Sequence, residues 1–262
     1  MERVMNRADR KRQAKEDERL VANGLLLGST DHIIALSRLL CSCAGKAKRT
    51  RSIDAFVEFL TGKLAATTHS LREEPIACRR GCSHCCYYWV TATPPEILSI
   101  SKIVRRRGKA ALARVLNAHE ATKDYSIRAR VEHPYPCPLL TDDGTCSIYP
   151  HRPKMCRFFN SADSAVCERS HHTMKTESIP NLVTYNTANS AYAFAEAAAL
   201  KAAQLSYRGC ELASGLARIL EVEDAERAWL GGEDILAGAI LDPDDFFDIP
   251  ELRMFFEETF GS

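Results

Sequence analysis

The chain has 262 residues, of which 45% are hydrophobic and 26% charged, so it can bury a core without disulfide staples, as ordinary water-soluble proteins do. Its 35 Lys and Arg side chains balance 34 Asp and Glu side chains, and the formal net charge is +1. Because no global positive field attracts a phosphate backbone, we expect no nucleic-acid partner. No apolar run approaches the roughly 20 residues that span a bilayer, and no signal-peptide pattern opens the chain. We therefore expect no membrane partner and a cytoplasmic location.

The N-terminal part of the chain is charge-dense and poor in apolar side chains. Residues 1–23 are expected to form a frayed helix or a disordered arm. We assign residues 1–30 to this charged N-terminal arm and residues 31–262 to a single cysteine-cluster domain.

Two segments after the arm have the three- and four-residue apolar spacing of a helix with one buried face. The first helix is expected over about residues 31–46 with Asp31 as its N-cap, and the second over about residues 52–70. Cys41 and Cys43 lie within or just after the first helix. Because neighbours two apart on a helix do not face the same way, we interpret both as packing residues.

The segment Thr93-Pro94-Pro95-Glu96 is a strong helix start, with Thr93 as N-cap and Glu96 completing a capping box. This helix is expected to end at Gly108, and another to follow over about residues 109–122. From about residue 181 the alanine content rises, which predicts helices over about residues 187–204 and 209–220. Shorter helices are expected to start at Asp242-Pro243 and at Pro250.

Residues 132–170 differ from the rest because five prolines rule out a long helix there. Asp142-Asp143-Gly144-Thr145 predicts a turn that can close a short hairpin. A proline-stiffened, irregular segment that carries cysteines is typical of a metal-organised lobe. The predicted fold is mainly α: a helical domain wrapped around an irregular cysteine-rich metal-binding lobe, with the metal-binding core at about 74–170 and a helical C-terminal part at about 181–262.

The eleven cysteines are the unusual feature of the composition. In the cytoplasm, clustered cysteines are more often metal or redox groups than disulfide partners. Thiolates select zinc, copper(I) or iron–sulfur clusters. Eight cysteines are candidate metal ligands: Cys78, Cys82, Cys85 and Cys86 in a first group, Cys137, Cys146 and Cys156 in a second, and Cys167 trailing the second. Cys210, in a helical pattern, is expected to be a small buried hydrophobe.

Eight thiols suffice for two four-cysteine sites, or for one four-ligand cluster with further cysteines around it. Consecutive side chains usually diverge, so Cys85 and Cys86 are not expected to bind the same ion. Positive residues beside the cysteines are expected to favour thiolates; they are Arg79, Arg80, Arg152, Lys154 and Arg157. Imidazole also suits zinc or iron, so the histidines near the cysteines are weaker ligand candidates; they are His84, His151, His171 and His172.

The run Cys78-x3-Cys82-Ser83-His84-Cys85-Cys86 resembles the CxxCxxCC signature of the YkgJ family of zinc- or iron-chelating proteins. The resemblance continues, in the family's order and spacing, through Cys137-Pro138-Leu139-Leu140, Gly144-Thr145-Cys146-Ser147-Ile148-Tyr149, Arg152-Pro153 and Cys156-Arg157. It covers about residues 74–170 and implies metal chelation. One departure is the spacing of three residues, rather than two, between Cys78 and Cys82, where Gly81 gives the loop freedom to adjust.

Three functions are compatible with these observations. The first is a metal-binding protein that holds iron, as an iron–sulfur cluster, or zinc, in a structural or redox role; surplus thiols favour the iron–sulfur cluster over zinc. The second is a metal-dependent group-transfer enzyme, since related cysteine-cluster proteins include flagellin lysine N-methylase; its acid–base candidates are Glu96, Asp142, Asp143 and Tyr149. The third is metal storage or trafficking. The sequence identifies no substrate or protein partner and no reaction.

Overall fold

The computed structural model describes residues 6–72, 74–79, 81–242 and 245–260, and the predicted mainly-α fold is confirmed. The helices are α1 (Arg7–Ala22), α2 (Thr30–Thr50), α3 (Asp54–Ser70), α4 (Pro94–Arg106), α5 (Lys109–Thr122), α6 (Ile127–Glu132), α7 (Lys154–Phe158), α8 (Ser164–Thr173), α9 (Val183–Ala202), α10 (Leu212–Glu221), α11 (Ala225–Leu230) and α12 (Pro250–Phe260). Short 3₁₀ turns lie at Gly24–Leu26, His84–Tyr87, Tyr149–His151 and Phe246–Asp248. Two strands, β1 (Thr91–Ala92) and β2 (Cys210–Glu211), complete the elements. In the part of the chain that the structure describes, no helix is long and apolar enough to cross a membrane.

The core forms around α2 and α9, which pack against each other. Alanines such as Ala195 and Ala199 on α9 are fully buried and allow a close approach to Leu36 and Leu40 on α2. A helix that is buried on several sides needs small side chains at its contacts, which explains the alanine-rich sequence of α9.

Local capping chemistry accounts for several helix starts. The capping box at Thr93 and Glu96 forms as the sequence predicts, and the Thr93 amide donates to Glu96 Oε2 at 2.9 Å. The N-cap of α2 is Ser29 rather than the expected Asp31, because Ser29 Oγ accepts from the His32 amide at 3.2 Å. Helix α8, which the sequence analysis did not predict, starts at its N-cap Asp163.

Strands β1 and β2 pair antiparallel, with Thr91 opposite Glu211 and Ala92 opposite Cys210. This pairing joins the segment that follows the first cysteine group to the start of α10. Cys210 is fully buried, and a Cβ added at Gly215 would lie 2.4 Å from its sulfur. Cys210 therefore packs in the core, away from the metal candidates.

The two ends of the chain pack on the core. Helix α1 contacts α2, where Asp17 is 3% exposed and lies 3.7 Å from Arg38 Nη1. Residues 7–22 of the expected arm thus form a packed helix. The expected helix start at Asp242-Pro243 extends outside the described residues, and α12 begins at Pro250 as predicted.

Candidate metal centre

A backbone hydrogen bond joins the two cysteine groups: the Cys137 amide donates to the Cys86 carbonyl at 2.7 Å. Cys86 lies in the 3₁₀ turn His84–Tyr87, in which its own amide donates to the Ser83 carbonyl at 2.9 Å. The two groups, far apart in sequence, therefore meet in the fold.

A tight hairpin positions Cys137 and Cys146. The Thr141 amide donates to the Thr145 carbonyl at 2.8 Å, and Leu140 forms a bridge with Cys146. Gly144 has a φ of +76°, which a side chain rarely adopts, so glycine is required in this turn. The predicted turn is thus confirmed, and it places both cysteines on one small loop.

Cys156 reaches the site from α7, a short helix that packs against α3, α9 and β1. The Thr91 amide donates a hydrogen bond to Met155 Sδ at 3.1 Å, and Phe158 is 1% exposed. Prolines before α7 prevent a longer helix, while the buried contacts hold this short one in place.

Cys167 belongs with Cys78, although it follows the second group in sequence. Helix α8 packs on the turn His84–Tyr87, and Tyr88 Oη donates to Ser170 Oγ at 3.0 Å. Ser161 lowers the pKa values of both thiols, through its backbone at Cys78 and through its side chain at Cys167. The grouping of the cysteines in the fold therefore differs from their order in the chain.

Electrostatic interactions between the thiols define two sets of cysteines. We call Cys78, Cys82 and Cys167 the Cys78 set, and Cys137, Cys146 and Cys156 the Cys156 set. The charge of Cys85 raises the pKa values of members of both sets. The interaction with the adjacent Cys86 thiol, followed by burial, raises the pKa of Cys85 itself.

The type of donor fits a soft metal, because the segments that the hydrogen bond between Cys137 and Cys86 brings together carry thiols. Among the described residues, no three Cys, His, Asp or Glu side chains are arranged closely enough to hold a metal ion. Burial raises the pKa of the Cys137 thiol to about 12 and holds the pKa of Cys156 well above its ordinary range. A hydrogen bond to Cys86, followed by burial, raises the pKa of Cys85. Without metal these thiols hold their protons, which a bound metal would displace.

Cations surround the Cys156 set. Arg152 lowers the pKa values of Cys85, Cys146 and Cys156, partly offsetting the effect of burial. Its guanidinium stacks on the Tyr149 ring at 4.2 Å, and its buried Nε has no hydrogen-bond partner among the described residues. A cavity of about 20 Å³, the size of one water molecule, borders the same side chain.

Two of the other expected cations have different roles. Lys154 was expected beside the sulfurs, but its Nζ donates to Glu196 Oε2 at 2.8 Å and lies 3.5 Å from Glu96 Oε2. Arg157 Nε donates to the Arg152 carbonyl at 3.1 Å. Arg80 lies outside the described residues. The buried partner of Lys154, Glu196, gives no signal in the sequence because it sits within an alanine-rich helix.

The histidine candidates fall into separate environments. The His171 ring lies 4.4 Å from the Tyr87 ring and 6.0 Å from the His84 ring, and its buried Nδ1 has no partner among the described residues. Desolvation lowers the pKa of His171, with smaller effects from His84 and His172. His151 is exposed at the end of a 3₁₀ turn. His171 thus packs on the turn His84–Tyr87, which carries Cys85 and Cys86.

The acid–base candidates are held by structural contacts. Glu96 completes the helix cap and also accepts from the Lys154 amide at 2.7 Å. Asp143 accepts hydrogen bonds from Thr141 and Thr145 within the hairpin turn, and these bonds lower its pKa. Tyr149 is the stacking partner of Arg152. None of these contacts distinguishes one candidate as a proton-transfer group.

Comparison with known proteins gives one match. Residues 77–180 match the family model of the CxxCxxCC domain, described as a putative zinc- or iron-chelating domain. No curated protein and no solved structure matches the chain significantly. All eight candidate cysteines, from Cys78 to Cys167, fall inside the matched range. Residues 77–180 are therefore similar to a domain family that is described by zinc or iron chelation, in agreement with the resemblance seen in the cysteine motifs.

Proposed function

We propose that the protein holds an iron–sulfur cluster through its cysteines, in a structural or redox role. The observation that carries the proposal is the 2.7 Å hydrogen bond from the Cys137 amide to the Cys86 carbonyl, because it joins the two cysteine groups in one place. A cytoplasmic location, outside the membrane, is part of the proposal.

The number of thiols favours a polynuclear cluster over a single zinc ion. A structural zinc site is complete with four ligands. Here eight cysteines comprise two sets of three and the adjacent pair Cys85 and Cys86. Iron–sulfur clusters are held by cysteine thiolates, and hydrogen bonds and solvent exposure set their potentials.

The Cys156 set and Cys85 are the ligands we favour. Four thiolates bring negative charge into a partly buried site, and the nearby cations offset that charge. Arg152 acts on Cys85, Cys146 and Cys156, whereas the charged neighbour that acts on Cys167 is the acidic Asp163. Cys78, Cys82 and Cys167 are then proposed as further or alternative ligands. A bound cluster supplies one-electron redox chemistry or a structural cross-link.

Anaerobic purification tests the proposal when iron, zinc and acid-labile sulfide are assayed on the same sample. Matching iron and sulfide, with broad visible charge-transfer absorption, supports the iron–sulfur cluster. Zinc in a whole-number ratio without sulfide supports a zinc site in its place. Protein that contains neither metal contradicts the proposal.

A further inference from the structure

Arg130 is a buried cation whose hydrogen-bonding groups are largely unused. It lies on α6 and is 3% exposed. Its Nη2 donates to the Tyr88 carbonyl at 3.3 Å, while the buried Nε and Nη1 have no partner among the described residues. A guanidinium keeps its charge and carries five N–H donors, so burial without an anion is unfavourable.

Glu211 does not fill that role by direct contact. It is 4% exposed, and its Oε2 accepts from the Ser214 amide at 2.8 Å at the start of α10. Its charge raises the pKa of Arg130, but among the described residues no hydrogen bond joins the two side chains. The free N–H groups of Arg130 therefore remain available to another acceptor.

Arg130 Nη2 donates to the Tyr88 carbonyl, and the Cys137 amide donates to the Cys86 carbonyl at 2.7 Å, so both residues attach to the same short segment at the end of the first cysteine group. The charge of Cys137 also raises the pKa of Arg130. Metal binding replaces a thiol proton and leaves a thiolate, which is both an anion and a hydrogen-bond acceptor. When the metal binds, the Arg130 cation and the Cys137 thiolate are therefore complementary in charge and in hydrogen bonding.

We propose that Arg130 is a positioning residue that stabilises the metal-bound thiolate of Cys137 through its charge and its free N–H groups. This inference rests on the proposed metal function and adds to it a residue outside the cysteine motifs. Replacing a group that interacts with a metal ligand, without itself binding the metal, typically lowers metal affinity by about 10- to 100-fold.

The experiment compares Arg130→Gln, which keeps N–H donors but removes the charge, with Arg130→Lys, which keeps the charge. The matched control is Arg128→Gln on the same helix, because the side chain of Arg128 is 82% exposed and pairs with Glu132 at 2.7 Å. Metal affinity is measured by competition with a chelator, and the reduction potential is measured where the metal is an iron–sulfur cluster. Circular dichroism verifies that each variant is folded.

We expect Arg130→Gln to weaken metal affinity by about 10- to 100-fold, and Arg130→Lys to retain part of it. The potential of an iron–sulfur cluster should become more negative in Arg130→Gln, because a nearby positive charge favours the reduced cluster. Arg128→Gln should match the wild type. If Arg130 only supported the fold, Arg130→Gln would change the free energy of unfolding without shifting the reduction potential.

Equal metal affinity in the wild type and Arg130→Gln would overturn this inference while leaving the proposed function intact. If Arg130→Gln does not fold, a folded Arg130→Lys variant that has lost metal binding would overturn the role of the charge. A wild-type protein that binds neither iron nor zinc would instead defeat the proposed function itself.

Discussion

Lys154 on α7 donates from Nζ to Glu196 Oε2 on α9 at 2.8 Å, and neither side chain is more than 7% exposed. The ion pair attaches the helix that carries Cys156 to the core of the protein. Thr93 Oγ1 donates to the other oxygen of Glu196 at 2.7 Å, so the carboxylate has partners on both sides. The position of Cys156 therefore depends on contacts well outside the cysteine motifs.

Replacing Lys154 with methionine should strongly destabilise the protein. Removing one partner of a buried ion pair leaves an uncompensated charge on the other, at a cost of about 3–5 kcal/mol. Burial already raises the pKa of Glu196, and Lys154 is the group that opposes this effect. Urea unfolding of Lys154→Met and the wild type measures the difference in unfolding free energy.

The matched control is Lys102→Met, since the Lys102 side chain is 38% exposed and its partners Asp54 and Glu226 are 78% and 21% exposed, against 0% for Glu196. Exposed pairs contribute about 0–1 kcal/mol, so this variant should differ little from the wild type. Combining Lys154→Met with Glu196→Gln should recover part of the lost stability, because the buried charge is then removed. A double variant as unstable as the sum of both single variants would contradict the pairing.

Replacing Cys156 with serine should lower the metal content of the purified protein, because a serine hydroxyl is a poor ligand for soft metals. Cys41→Ser is the control, since Cys41 lies on α2 among packing residues. Metal analysis of both variants after identical purification measures the effect. Equal loss of metal in both variants, or in neither, would contradict the assignment of Cys156 to the site.

The stability of the protein should fall as the pH decreases through the ordinary pKa of histidine, and His32 should be one cause. His32 is 1% exposed, its Nδ1 has no partner among the described residues, and burial lowers its pKa below 6.5. The folded protein keeps this imidazole neutral, while the unfolded chain takes up a proton below about pH 6.5. The unfolded state then binds more protons, so the unfolding free energy decreases as the pH falls.

His32→Gln should remove this part of the pH dependence, by at most about 1.4 kcal/mol for each unit of pKa shift. Urea unfolding at pH 7.5 and at pH 5.5 measures the change for each protein (both values chosen about one unit from the ordinary histidine pKa). The exposed residue His69 provides a control, as His69→Gln should retain the wild-type pH dependence. A variant at position 32 with unchanged pH dependence would contradict the role of the buried imidazole.

The sequence predicts features that depend on local chemistry. The capping box at Thr93 and Glu96 and the turn at Gly144 form as expected, because each depends on side chains only a few residues apart. The cysteine spacing likewise predicts the resemblance to the CxxCxxCC domain, and the family match over residues 77–180 agrees. The N-cap of α2 was wrong by two residues, since Ser29 also has a suitable side chain.

Contacts between distant segments could not be predicted in the same way. The association of Cys167 with Cys78 requires α8, which folds back on the turn His84–Tyr87. The pairing of Lys154 with Glu196 joins two helices whose relative position no local pattern encodes. Arg130 is a charged residue in a short polar helix, a pattern that usually indicates a solvated side chain.

X-ray absorption at the edge of the bound metal tests the central claim most directly, because it reports which atoms coordinate the metal. We predict a first shell of sulfur, at about 2.3 Å if the metal is zinc, with an additional iron–iron distance if it is an iron–sulfur cluster. The Cys137→Ser variant, altered in the second cysteine group, should lose sulfur ligands or metal. A shell of nitrogen and oxygen alone, unchanged by that substitution, would contradict a metal centre built from the two cysteine groups.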